Sequence, residues 1–118
     1  MEIKLVSDDG DILRAKVTSR IIRYDPAPPQ DPLVRIGGRD IYKRTVLLDL
    51  SDSDFVDSSG LSWLLVAHKR FCEANGKLIL HSLSPGVLET IKMMRLDLVL
   101  NLAQDEPEAL ELARKAEP

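Results

Sequence analysis

Two short runs, Thr45 to Leu50 (TVLLDL) and Lys77 to His81 (KLILH), are almost wholly apolar. A strand with one face in water alternates apolar and polar residues, whereas a strand covered on both faces has no need to. These runs therefore predict buried strands. Parallel neighbours must be joined by a crossover of a dozen or more residues, and residues 51–76 are long enough to supply one with a helix in it. The chain is thus predicted to be an α/β protein with a largely parallel sheet.

The remaining elements follow from local signals. Ile3 to Ser7 (IKLVS) alternates, Asp8-Asp9-Gly10-Asp11 is a turn, and Ile12 to Thr18 (ILRAKVT) alternates again, so residues 3–18 predict an antiparallel hairpin. Residues 19–44 are proline-broken and basic, with Pro26, Pro28, Pro29 and Pro32 followed by Gly37-Gly38. They exclude a long helix but allow one short turn with Asp31 as cap, Pro32 at its first position and Gly37 as its stop. A helix is expected from about Ser58 to Ala74, stopped by Asn75-Gly76. Ser84-Pro85 starts another helix through about Met94, Leu98 to Leu102 reads as a last strand, and Asp105 opens a final helix ending near Ala116. The order β-β-(irregular)-β-α-β-α-β-α calls for a mixed sheet of four to five strands. Right-handed crossovers put successive helices on one face unless the strand order reverses. All 118 residues fit one domain.

Composition narrows the function. Aromatic residues make up 4% of the chain, too few for a base-stacking platform, and 16 basic against 19 acidic residues leave no excess to neutralise a nucleic-acid backbone. Nucleic acid is therefore not an expected partner. The single Cys72 excludes an internal disulfide and any Cys-based zinc cluster within the chain. No apolar run reaches the ~18 residues of a membrane span, and no leader opens the sequence, so the expectation is a cytoplasmic domain without a membrane partner.

The segment Leu47 to Leu65 (LLDLSDSDFVDSSGLSWLL) runs from a buried strand through an acidic loop into a helix start. Free backbone N–H groups and about half a unit of positive charge collect at such a start and suit an anion. Ser58 and Ser59 sit there. A hydroxyl in that place can cap the helix, and it can also carry a phosphate, which adds about −1.5 to −2 charges beside Asp52, Asp54 and Asp57. Gly60 keeps bulk away from the hydroxyls. At 100° per residue, Leu61, Leu64, Leu65, His68, Phe71 and Cys72 share a broad apolar face, while Ser59, Trp63, Val66 and Arg70 point the other way. An outward Trp beside a phosphoacceptor is what a partner-docking surface contains.

Enzymatic readings are weaker. Asp49, Asp52, Asp54 and Asp57 after a buried strand suit a Mg²⁺-dependent phosphotransferase, but the Asp-x-Asp pattern is broken by Leu50-Ser51. A Ser-His-Asp hydrolase would need Ser58 with His68 or His81, and the Gly-x-Ser-x-Gly elbow is missing. No enzyme, metal or cofactor is expected.

The run TVLLDLSDSDFVDSSGLSWLL, followed by NGKLILHSLSPGVLETIKMMRLD, resembles the STAS domains of bacterial anti-sigma factor antagonists over about residues 45–115. The resemblance implies a STAS-type mixed sheet with helices packed mainly on one face. It implies a switch by serine phosphorylation, performed by a GHKL-type kinase that is also the anti-sigma factor and reversed by a PP2C-type phosphatase, the unphosphorylated form binding the kinase and releasing a sigma factor. The phosphoacceptor falls on Ser58, with Ser59 as the alternative, and the partner-binding set on Asp57, Ser59, Gly60, Leu61, Trp63 and Val66. Similar domains also act as non-switching scaffolds in stress-sensing complexes. This chain departs from the family pattern upstream, where the proline-broken basic segment replaces a full helix. Its arginines are candidates to clamp a phosphoserine.

Overall fold

The computed structural model describes residues 2–21 and 31–115. Five strands, β1 (Ile3–Asp8), β2 (Ile12–Val17), β3 (Thr45–Asp49), β4 (Lys77–His81) and β5 (Asn101–Ala103), lie side by side in chain order. β1 and β2 form the expected antiparallel hairpin, with a shift in register between Leu5 and Ser7. Its turn is closed by the Asp8 carboxylate, which accepts the Gly10 N–H at 2.9 Å. The other pairs are parallel, with Leu13 opposite Val46, Val46 opposite Leu78, and Ile79 opposite Asn101.

Because strand order never reverses, the right-handed crossover rule sends every connecting helix to one face. Helices α1 (Pro32–Gly37), α2 (Ser58–Glu73) and α3 (Pro85–Met93) follow β2, β3 and β4 in turn. Their apolar residues Leu33, Leu61, Leu64, Phe71, Val87 and Ile91 form one core with Leu13, Val17, Val46, Leu48, Leu78 and Leu80 from the sheet. Burying a side chain of this kind contributes roughly 1.5–3 kcal/mol. The last helix, α4 (Glu106–Arg114), has no following strand to reach and covers the other face, where Ala109 and Leu110 pack over Leu47, Ile79 and Ala103. That two-sided cover explains why β3 and β4 are continuously apolar. β2 alternates because Leu13, Ala15 and Val17 are buried while Arg14 and Lys16 are only half-covered.

Aspartate side chains cap three of the four helices, Asp31 and Asp105 as expected, and Asp57 at α2 in place of a Ser58 or Ser59 hydroxyl. Asp31 accepts the Leu33 N–H at 2.9 Å, Asp57 accepts the Gly60 N–H at 2.7 Å, and Asp105 accepts the Glu108 N–H at 3.0 Å. Ser84 precedes α3 without capping it, and its hydroxyl donates instead to the Ser53 carbonyl at 2.9 Å. α1 runs through Gly37, and Gly38 takes the positive φ of 83° that ends it. A 3-10 turn at Arg39–Lys43 then leads into β3.

Two expectations need correction. The last strand starts at Asn101 and not at Leu98, because Arg95 adopts a left-handed φ of 59° and Leu96–Leu98 form a 3-10 turn that reverses the chain first. The buried stripe of α2 is Gly60, Leu61, Leu64, Ala67 and Phe71. Leu65 and Cys72 are exposed, His68 is half-buried, and Trp63 is half-buried against the core. The buried stripe takes in the small residues Gly60 and Ala67, which a hydropathy count underweights.

Candidate functional site

The candidate site lies where β3 hands over to α2, at the carboxyl end of the parallel strands. Ligands of open α/β sheets bind outside that end of the strands. The loop between them is held by local bonds. Asp49 turns the chain by accepting the Ser51 N–H at 2.8 Å. Ser53, almost fully buried, donates its hydroxyl to the Ser19 carbonyl at 2.7 Å. The Leu50 N–H donates to the His81 carbonyl at 3.0 Å.

The decisive brace comes from Ile21. Its N–H donates to the Phe55 carbonyl at 2.8 Å, and its carbonyl accepts the Asp57 N–H at 3.3 Å, so Ile21 and Val56 form a short parallel bridge beyond the main sheet. Ile21 is fully buried. This bridge lays the chain across the start of α2 and fixes the identity of Gly60. A β-carbon there would fall 1.8 Å from the Ile21 carbonyl oxygen. Gly60 is therefore required by a backbone crossing beneath it, a different reason from relieving the neighbouring hydroxyls.

Asp57 caps α2 from an extended conformation. Its carboxylate accepts both the Gly60 N–H and the Ser59 hydroxyl, each at 2.7 Å. Those bonds, the backbone one first and the Ser59 hydroxyl next, hold its carboxyl below the ordinary carboxylate value. The two serines thus have different roles. Ser59 is half-buried with its hydroxyl engaged, whereas Ser58, the first residue of α2, is exposed. Among the described residues, nothing accepts from or donates to the Ser58 hydroxyl. Of the remaining candidate residues, Gly60 and Leu61 are buried below the helix start, Trp63 is half-buried, and Val66 is 48% exposed.

The four carboxylates do not converge. Asp49 is spent on its turn, Asp52 pairs with Lys16 at 3.3 Å, Asp54 is exposed, and Asp57 caps the helix. Among the described residues no group of three or more His, Cys, Asp or Glu side chains is placed to hold a metal ion. His68 contacts Cys72, and burial lowers its pKa. The His81 Nδ1 lies 2.8 Å from the Ser82 hydroxyl. Neither histidine is bonded to Ser58.

The arginines of the basic segment divide. Arg44 forks onto Asp8 and the Gly10 carbonyl at the start of β3, the opposite end of the strands from Ser58. Asp31 receives the Tyr42 hydroxyl and lies 3.4 Å from Arg70 near the last turn of α2. Arg23 lies outside the described residues. Arg20, next to Ile21, is on the Ser58 side, and its guanidinium lies 6.0 Å from the centre of the Phe55 ring. Phe55 was not singled out from the sequence. The available signal was a lone aromatic inside an acidic loop.

The comparisons with known proteins bear on this geometry. The family model described as the STAS domain matches residues 13–109. A candidate anti-sigma factor antagonist from Thermotoga maritima superimposes with a TM-score of 0.74 at 19% identity, covering 96% of this chain and 95% of that one. An anti-sigma-factor antagonist (STAS) domain protein from Planctomyces limnophilus gives a TM-score of 0.69 at 23% identity, covering 98% of this chain and 100% of its own. At these identities the structural likeness speaks for the fold. With the match extending from β2 into α4, the chain belongs to the STAS domain family.

Proposed function

We propose that this chain is a regulatory protein-binding module, an anti-sigma factor antagonist whose grip on a partner anti-sigma factor kinase is switched by phosphorylation of Ser58. The observation that carries the reading is the contrast at the start of α2. Ser58 is exposed with an unspent hydroxyl, while Ser59 is committed to Asp57. The domain is the protein substrate and contributes no cofactor. A GHKL-type kinase presents ATP, the Ser58 oxygen attacks the γ-phosphorus, ADP leaves, and the hydroxyl proton passes to the kinase or to water. A PP2C-type phosphatase returns the hydroxyl by hydrolysis.

The α2 N-terminus tolerates the added charge, because its free N–H groups point toward it. Asp54 and Asp57 stand beside it, so the same surface becomes strongly acidic and repels an acidic partner. A loss of ~3 kcal/mol of interface energy weakens binding over a hundredfold. Val66, exposed further along α2, and the half-buried Trp63 serve as partner contacts. Asp57, Gly60 and Leu61 set the shape under it.

The test is to incubate the chain with the kinase encoded near its gene and measure the mass. A gain of about 80 Da, the mass of one phosphoryl group, that disappears in Ser58→Ala supports the switch. No gain, or a gain that survives Ser58→Ala and Ser59→Ala together, overturns it. Phosphorylation that leaves kinase binding unchanged points to a non-switching scaffold.

A further inference from the structure

On an exposed flank of α2, His68 and Cys72 lie one helical turn apart, and the imidazole Nε2 is 3.5 Å from the Cys72 sulfur. Zinc binds imidazole nitrogen at about 2.0–2.1 Å and thiolate sulfur at about 2.3 Å, and at the tetrahedral angle the two donors stand about 3.5–3.6 Å apart. The spacing already present on the helix matches one edge of that tetrahedron. Cys72 is exposed, and the His68 ring is half-buried, so little freedom is lost when it takes a metal ion. Both are donors that zinc takes in structural sites.

One chain supplies two donors. Among the described residues no third His, Cys, Asp or Glu joins them. Structural zinc sites fill four positions, and the same pair on a second copy completes a Cys₂His₂ set. Leu65 is 37% exposed and lies one turn before His68, which gives two such helices an apolar contact beside the ion. The geometry points to His68 and Cys72 as a zinc half-site through which two copies of this chain pair along α2. In forming it, two thiols each release one proton, two neutral imidazoles each offer a lone pair, and nothing is oxidised or reduced. His68, the nearer of the two, is ten residues along the helix from Ser58, about 15 Å at 1.5 Å per residue. The inference therefore stands apart from the phosphorylation reading.

The test uses the chain under reducing conditions, so that no disulfide forms. It is titrated first with Co²⁺ as a spectroscopic probe and then with Zn²⁺, with its mass followed by sedimentation. The expected result is a tetrahedral cobalt spectrum with thiolate charge-transfer bands, saturating at one ion per two chains. Zinc then produces dimers that chelator returns to the metal-free state. Cys72→Ser and His68→Ala should each abolish both effects, and circular dichroism checks that each variant folds. The proposal is overturned if micromolar metal is not taken up, if uptake or dimerisation persists in Cys72→Ser, or if one ion binds per chain with no change in mass.

Discussion

The carbonyl oxygen of Ile21 occupies the space that a side chain on Gly60 would need, 1.8 Å from where a β-carbon would lie. The obstacle is backbone, already bonded to the Asp57 N–H, so no rotamer change relieves it. Gly60→Ala is expected to destabilise the fold by about 2 kcal/mol or more, the upper part of the usual cost of overpacking. Urea unfolding of the two proteins measures it. An unchanged midpoint would mean that the Ile21–Val56 bridge is dispensable.

Ser58→Ala should behave in the opposite way. An exposed hydroxyl without partners among the described residues leaves stability within about 0.5 kcal/mol when removed. Ser59→Ala takes a donor from the Asp57 carboxylate and should lower the melting temperature measurably more than Ser58→Ala. Thermal melts of the two variants side by side decide it. Equal effects would contradict the division of labour between the two serines.

Acid should unlatch the hairpin from β3. The hydrogen bond from Arg44, followed by the Gly10 N–H, brings the Asp8 carboxyl from 3.8 down to about 2. A depressed carboxyl contributes stability that is complete above its ordinary value and drains as pH falls from about 4 through about 2. Asp57 acts in the same direction. Unfolding midpoints against pH should therefore fall less steeply across that window in Asp8→Asn, which should also be less stable at neutral pH. Parallel curves would remove Asp8 from the explanation.

Alkali should reach the other end of the helix layer. Burial first, and the Asp31 carboxylate second, push the Tyr42 hydroxyl from 10.0 up to about 12. The ring also meets Phe71 edge-on at 4.9 Å between centroids. A raised phenol contributes stability that is whole below about 10 and is lost as pH climbs through about 12. In a Tyr24→Phe background, tyrosinate absorbance should rise only near pH 12. In Asp31→Asn it should rise earlier. A transition at the ordinary value in both would show that Asp31 does not hold the hydroxyl.

Much of this architecture was readable from the chain because strong local signals agreed with the packing. Asp31-Pro32 and Asp105 announced their helices, and the continuous apolarity of β3 and β4 announced buried strands. Asp57-Ser58-Ser59-Gly60 marked the candidate site. Three things were not readable. The phase of α2 depended on Gly60, which lies against the Ile21 carbonyl, and on Ala67, small buried residues that add little hydropathy. The start of β5 depended on Arg95 taking a left-handed conformation that no residue type there demands. The role of Gly60 depended on Ile21, a partner 39 residues away whose pairing is set by tertiary packing.

The β2–β3 connection touches α2 twice, through Ile21 at the first turn and through Asp31 near the last. A beam clamped at both ends cannot pivot cheaply. If the proposed modification falls on the hydroxyl at its tip, visitors would read altered electrostatics at an unmoving address, and not a swing of the helix beneath.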